Sequence, residues 1–449
     1  MPKDTCRSAN PFTRSYSYHQ PRQHRSSGTR LGYGPESRMR QSGNRQPTPR
    51  SVRSVTASAG SKALRVLVIG VGWPMETFIE HLVTGLAASG VDLTVATVGS
   101  PAKPPEEWLD CQEIRWSNDG AQWSARGIAR SVVTRQGPGR TVLPSAGGLL
   151  RNGARRRREL VEGPFDVVYA PWLNTLVDHP DILETRTPLV TSCRGTLVTI
   201  APLDPSRVGH SQALARAFEH AARVHCVSDA IVGDAVGLGL DPRKVAVIRP
   251  AVDPAVFVPG DRPRPPEPTV RVLSVGGLTW TKDYESAIVA VHRAFRHGPE
   301  LLLDIVGEGP DRQHLQFVID DLGLGAKVRL LGRLSPSEIA HRLRTADVFL
   351  HTSSSEGISN AVLEAMASAV PVITTDAGGM TEAVRDGVDG LVVPVRDPGA
   401  TSRALVRLAA DEKLRSRLGA AGRARVLAEF RLDQQVAAFG ALLHEAAGR

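Results

Sequence analysis

LRVLVIGVGWP, residues 64–74, is an apolar run that ends in Gly70, Gly72 and Pro74. Such a run is what a strand buried on both faces requires, and the glycines at its end read as a turn. Behind it, residues 77–89 place Phe78, Ile79, Leu82, Val83 and Leu86 at helical spacing. Residues 91–98 read as a second strand. Strand, turn, helix, strand is the opening of a doubly wound parallel sheet, so the expected fold class is α/β.

The pattern can be followed outward. Strands are expected at 166–170, 189–192, 223–227 and 245–248, with a helix near 211–222. The stretch 109–163 carries the basic run Arg155–Arg158 and gives no period to read. Residues 258–268 contain five prolines, which stiffen a linker and block regular structure. A second α/β series then follows, with strands expected at 269–275, 301–306, 327–331, 347–350, 370–374 and 390–393 and a long helical stretch at the end. The expected organisation is a disordered basic tail at 1–62, an N-terminal domain at 63–257, a Pro-rich linker at 258–268, a C-terminal domain at 269–428 and a closing helix at 429–449 that crosses back to the first domain. Two such domains on a hinge imply a cleft between them, the usual place for a ligand.

Length and composition narrow the function. A chain of 449 residues, 41% hydrophobic and 22% charged, has room for two to three ordinary globular domains. The net charge of +9 would suggest nucleic acid, but residues 1–62 alone balance to +10 and the rest to −1. A basic nucleic-acid-binding domain thereby loses its main support. The tail is rich in Ser, Arg, Gln, Pro and Gly and lacks the apolar core of a secretory signal. It reads as a bland segment or an early start codon, with an electrostatic tether to anionic lipid as the alternative. No apolar run approaches the roughly 18 residues of a membrane-spanning helix. Cys6, Cys111, Cys193 and Cys226 have no C-x-x-C spacing, which argues against a structural zinc site or disulfide scaffold and fits a reducing, cytoplasmic setting.

The most informative chemistry lies in SSSEGISNAVLEAMA, residues 353–367. A strand ends near Leu350, a polar loop follows, and a helix begins near Ser359 or Asn360. Gly357 allows a ligand close to the backbone. The free amides from Gly357 to Ala361, at the positive end of the helix, suit a diphosphate. Glu356 would point from the loop across the ligand, and Glu364, one turn into the helix, would hold neutral hydroxyls. Taken alone, the two glutamates read first as a helix with a favourable acidic first turn.

These residues resemble the E-x7-E signature of glycosyltransferase family 4, whose members have the GT-B fold. The likeness extends to VLSVGGL with Lys282, IVGEGP (residues 305–310), VRLLGRLSPSEI (328–339), ADVFLHTSSSEG (346–357) and VPVITTDAGGMTEAV (370–384). It runs from about Leu64 to the C-terminus and is strongest from Val245 onward. WPMETFIEHLV (73–83) and WTKDYESA (280–287) resemble the exopolysaccharide branch, similar to colanic acid transferases. The resemblance implies two Rossmann-like domains facing across a cleft, the second holding a nucleotide-sugar and the first an acceptor. It implies that Glu356 contacts donor sugar hydroxyls, Glu364 the ribose, and the backbone of Gly357, Ile358, Ser359 and Asn360 the sugar and phosphate. Lys282 would neutralise the leaving diphosphate, Arg333 would line the base, and Gly70 with Gly72 would form a turn that closes on the phosphates. No metal or other cofactor is expected, because Lys and helix-end dipoles carry the charge stabilisation.

Three positions depart from the family pattern. Gly277 stands where an Arg is usual, so one diphosphate cation is missing. Arg194 replaces the His of a His-Gly pair and would bind donor phosphate or an acidic acceptor. Pro250-Ala251 replaces an Asn-Gly. His225 and Cys226 read as core or strand-end residues. Glu76 reads equally as a ligand group and as an acid favoured by its helix start. The Arg155–Arg158 run reads as a solvated face, or, with Leu149, Leu150, Leu160 and Val161, as a membrane-docking element.

The resulting expectation is a retaining glycosyltransferase that moves a hexose from UDP or GDP to a hydroxyl of a glycan or lipid-linked acceptor. Polysaccharide or glycolipid biosynthesis at the inner face of the plasma membrane is the expected setting, with no nucleic-acid partner. The expected catalytic residues are Glu356, Lys282 and Arg194. The alternatives are a nucleotide-sugar epimerase or phosphorylase of the same shape, and a non-catalytic nucleotide-sugar binder.

Overall fold

The computed structural model describes residues 63–72, 75–98, 114–117, 154–155, 157–260, 269–295 and 300–449. The expected tail at 1–62, the turn residues Trp73 and Pro74, Cys111, Leu149, Leu150, Arg156 and linker residues 261–268 lie outside them.

Seven parallel strands form the first sheet: β1 Arg65–Gly72, β2 Asp92–Val98, β3 Ile114–Ser117, β4 Val167–Ala170, β5 Leu189–Cys193, β6 Arg223–Cys226 and β7 Val245–Val247. Their order is β3-β2-β1-β4-β5-β6-β7. Six more form the second: β8 Thr269–Val275, β9 Glu300–Val306, β10 Val328–Gly332, β11 Val348–His351, β12 Val372–Thr375 and β13 Leu391–Val393. They lie in the order β10-β9-β8-β11-β12-β13, again all parallel. Chain direction across each sheet reverses at one place, between β1 and β4 and between β8 and β11. The crevices outside the carboxyl ends of those strand pairs are where ligands bind in doubly wound sheets.

The central strands are apolar on both faces because helices cover both. β4, β5, β11 and β12 are buried along their whole length. The helix Thr77–Ala88 buries Ile79, Leu82, Val83 and Leu86 at i, i+3, i+4 spacing. Its other neighbour is the last helix, Leu432–Ala446, whose Val436, Phe439, Leu442 and Leu443 complete the first domain's core. The closing helix therefore does cross back, and Val252 and Arg431 form an isolated parallel bridge where the two crossings meet.

Two elements differ from the sequence reading. β3 falls in the stretch that showed no period, and its four residues pair with β2 in register Leu93↔Ile114. Gly70 is not in a turn. It occupies a bulge within β1, at the register shift between Ile69 and Val71, with φ +73°. A Cβ there would lie 2.0 Å from Thr175 Oγ1, so the glycine serves close packing, with Thr175 set against its backbone.

Candidate functional site

A cavity of about 1160 Å³ opens between the two sheets at both reversal points. That volume exceeds the upper range of drug-sized ligand pockets and accommodates a large polar ligand. Lys282, Glu356, Glu364, Gly277 and the loop from Gly357 to Asn360 line it from the second domain, and Arg194 lines it from the first. Gly72 and Arg333 are not among the lining residues, and Arg333 is exposed.

Lys282 ends a 3-10 turn, Trp280–Lys282, which follows β8. The turn is pinned to the end of β11: Ser354 N–H donates to Thr281 O at 2.8 Å and Thr352 Oγ1 to Lys282 O at 3.0 Å. The ammonium is thus delivered to the reversal point and donates to Glu356 Oε2. Glu356 also accepts from Ser353 Oγ at 3.2 Å and lies 3.4 Å from His351 Nε2. Burial pushes this carboxyl up, but His351 and the Lys282 ammonium outweigh it and hold it at about 2. Glu356 is therefore an anion under all ordinary conditions.

Behind Glu356 lies a buried polar chain. His351 Nδ1 is 2.9 Å from Thr374 Oγ1, and its Nε2 is 2.9 Å from Ser353 Oγ. Burial, together with the Lys282 charge, holds the imidazole below its ordinary pKa, against the pull of Glu356. Glu364 contrasts with Glu356. It is half-buried in the cavity wall with no charged partner among the described residues, and burial pushes it up to about 7. It can accept from, or donate to, ligand hydroxyls near neutral pH.

The helix Asn360–Ala367 begins at Ser359, whose side chain makes no capping bond, so the first-turn amides are left for a ligand. The backbone before it touches the first domain. A Cβ on Gly357 would stand 2.4 Å from Arg194 O and 2.6 Å from Val227 Cγ2. Thr199 Oγ1 and Ser355 Oγ are 3.1 Å apart across the same gap. Farther out, Glu382 accepts from Ala230 N–H at 3.0 Å and from Arg249 Nη2 at 2.8 Å. The two domains are closed on one another.

Arg194 follows β5 and is fixed by its surroundings. Nε donates to Pro171 O at 3.2 Å and Nη2 to Tyr169 Oη at 3.4 Å, while the guanidinium stacks 4.6 Å from the centre of the Phe78 ring. The chain of bonds continues inward through Ser192 Oγ, 2.9 Å from Tyr169 Oη, to His225 Nδ1 at 2.8 Å. His225 Nε2 donates to Ile248 O at 2.7 Å, and burial beside Arg194 pushes this histidine down to about 3. His225 is a core residue, as read from the sequence, and Cys226 is buried beside it. Glu76 stands at the N-cap of the helix Thr77–Ala88 without a capping bond and lines the cavity.

Sequence reasoning singled out Lys282, Glu356, Glu364 and Arg194, and the cavity gathers all four. It missed His351, Ser353 and Thr374, and the interdomain pair Arg249–Glu382. His351 and Ser353 sit in ADVFLHTSSSEG and Glu382 in GGMTEAV, both quoted for their overall pattern, yet a single polar residue at a strand end carries no signal of its own.

The family described as Glycosyltransferase Family 4 matches residues 75–256, and the one described as Glycosyl transferases group 1 matches residues 261–425. A D-inositol 3-phosphate glycosyltransferase of Thermobifida fusca is 29% identical over 63% of this chain and 69% of its own length. A protein of Salmonella typhimurium named for colanic acid biosynthesis, the glycosyltransferase WcaL, is 32% identical over 40% of this chain and 45% of its own length. The crystal structure of Anabaena HepE in complex with UDP superposes with a TM-score of 0.62 at 17% identity, covering 84% of this chain and 98% of that one. Matched by these two families end to end from residue 75 to 425, and built as two doubly wound domains of GT-B type, the chain belongs to glycosyltransferase family 4 and is a sugar transferase.

Proposed function

We propose that the enzyme transfers a hexose, with retention of anomeric configuration, from a nucleotide diphosphate to a hydroxyl of a glycan or lipid-linked acceptor in polysaccharide or glycolipid biosynthesis. One observation carries the reading: a Lys–Glu pair at the β8/β11 reversal point faces an arginine from the other domain across a large closed cleft. The expected sites of action are those the family resemblance implies. Lys282 meets the diphosphate, the amides of the Gly357–Asn360 loop meet phosphate and sugar, Glu356 orients the sugar hydroxyls and Glu364 the ribose. Arg194 supplies a second, fixed cation from the acceptor side. The relatives named for transfer to an inositol phosphate and for colanic acid support an acceptor rich in hydroxyls, and the UDP in HepE supports a uridine donor.

The resemblance to the family implies a front-face course. The bond from the anomeric carbon to the phosphate oxygen breaks while the acceptor oxygen approaches from the same side. The departing phosphate oxygen takes the acceptor's proton, so no protein nucleophile is needed. The chain's own contribution is to hold the donor, exclude water by closure and neutralise the developing phosphate charge through Lys282 and Arg194, without a metal. Among the described residues no helix is long and apolar enough to cross a membrane. A cytoplasmic enzyme working at the membrane surface on a lipid-linked acceptor is consistent with that.

A melting screen against UDP-, GDP- and ADP-hexoses identifies the donor, since a ligand bound only by the folded state raises the transition by mass action. Nucleotide release with acceptor then measures turnover. Glu356→Ala should keep nucleotide binding and lose about 10²-fold or more in rate. Unchanged turnover in that variant, or sugar isomerisation in place of transfer, would remove the reading.

A further inference from the structure

The positive charge of Lys282 is already used. It is paired with Glu356, and the two side chains are only 24% and 17% exposed. A nucleotide diphosphate that takes Lys282, as in the function proposed above, leaves Glu356 without its cation in a poorly hydrated wall. A carboxylate in that situation is costly unless another positive charge replaces the first.

His351 is placed to replace it. Its Nε2 is 3.4 Å from Glu356 Oε2 on the side away from the cavity. The bonds around the ring also fit an imidazolium. Thr374 Oγ1 donates to Thr375 O at 3.3 Å, and Ser353 Oγ donates to Glu356 Oε2 at 3.2 Å. With both hydroxyl protons directed onward, each hydroxyl oxygen offers a lone pair to the ring, and the two ring nitrogens lie 2.9 Å from those oxygens. A ring carrying protons on both nitrogens is satisfied on both sides, whereas a neutral ring leaves one nitrogen lone pair facing another unless a hydroxyl turns back. The charged and titratable groups around it are Glu356 and Lys282 from the loops after β11 and β8. The phenol of Tyr284 also faces Glu356.

We propose that His351 is the proton-binding residue of the donor site: it takes one proton from solvent when a nucleotide diphosphate draws Lys282 off Glu356, and returns it on release. The ion pair Lys282–Glu356 is thereby exchanged for His351–Glu356 when the diphosphate binds. Glu356 keeps its negative charge for the sugar hydroxyls throughout. By linkage, donor affinity falls as pH rises between the free and the bound pKa of His351, approaching tenfold per pH unit.

The inference rests on the donor reading, and calorimetry separates the two. UDP-glucose, GDP-mannose and ADP-glucose are titrated into the full-length enzyme without acceptor. Their diphosphates carry no group that titrates near neutrality. Each titration is run at pH 5.5, 6.5 and 7.5 in pairs of buffers with different ionisation enthalpies. The expected result is a buffer-dependent heat that reports net proton uptake at one or more of these pH values, matched by the fall of affinity with rising pH. In His351→Gln the uptake is abolished and affinity becomes flat with pH, while binding at pH 7.5 is retained within a few-fold. Ser353→Ala, which keeps the ring and removes one acceptor, should reduce the uptake. Binding with the same heat in every buffer overturns this inference alone. Uptake that survives His351→Gln and vanishes in Glu364→Gln assigns the proton to Glu364 and overturns it as well. Failure of all three donors to bind removes the donor reading, and this inference with it.

Discussion

Glu364 and Glu356 are eight positions apart in one loop and helix, yet they are opposite chemically. Glu356 has an ammonium and an imidazole beside it, and Glu364 has neither. The folded protein holds a proton on Glu364 to about pH 7, whereas the unfolded chain loses it near 4.5. The folded state therefore binds this proton more tightly, and Glu364 costs stability increasingly as pH rises from 4.5 to 7. Because the carboxyl faces the cavity, the cost is about 2 kcal/mol. Glu364→Gln should unfold at a higher temperature than the parent at pH 8 and at the same temperature at pH 4.5, as read by paired melting curves. Gly277 offers a second residue-level test. Its φ is not in the left-handed region, and a Cβ there would meet nothing closer than Glu308 O at 3.8 Å. A side chain fits, and the related pattern has Arg at this place. Gly277→Arg should tighten donor binding about tenfold, as one added charge-assisted contact would. That gain should shrink in high salt, measured by titration at two ionic strengths.

At the scale of elements, the loop into the helix Asn360–Ala367 does two jobs, since its residues line the cavity and its backbone bears on the other domain. Gly357→Ala puts a methyl group against the carbonyl of Arg194, a backbone atom that cannot swing aside. The domains must part or the loop must shift. The expected result is a fall of about 10²-fold in kcat/KM, since a displacement of about 1 Å is enough for that, with a smaller effect on melting because Val227 is the one core side chain the new methyl group meets. A steady-state assay beside a melting curve separates the two effects. The same elements show what could be read beforehand. Buried strands such as β8 and β11 announce themselves as short apolar runs, and Glu356, Glu364 and Lys282 are legible through the family motifs around them, since the glutamates alone read as helix-start acids. β3 did not, because four residues with only Ile114 and Trp116 apolar give too short a period. Nor did the chain Thr374–His351–Ser353, whose members come from two strands and a loop. Each alone reads as an ordinary polar residue at a strand end, and only the parallel pairing of β11 with β12 brings them together.

At the scale of the molecule, the two domains are tied covalently by the linker and the closing crossover, and non-covalently at the cleft rim. Phe439, on the closing helix, lies against both Tyr169 and His225, with ring centres 5.7 and 4.6 Å away. The tether thus ends on the polar chain that leads to Arg194. The rim contact is ionic. Glu382 from the second domain accepts from the Ala230 amide and from Arg249, which also holds Asp229 at 2.8 Å. Burial pushes Glu382 up, but the Ala230 and Asp229 amides and Arg249 outweigh it and keep its pKa below the ordinary value. A carboxyl with a lowered folded pKa contributes stability above its unfolded pKa and loses that contribution as pH falls through the lowered one. The clasp is therefore whole at neutral pH and released in acid. Glu382→Ala should open the cleft at pH 7.5 at a cost of about 1–3 kcal/mol to the closed state, the cost of leaving Arg249 and one amide without this acceptor. Small-angle scattering should then give a larger radius of gyration for the variant than for the parent, with a donor analogue restoring the smaller value. Identical scattering from variant and parent, with and without that analogue, would mean that the domains stay closed through the Gly357 contact and not through this rim.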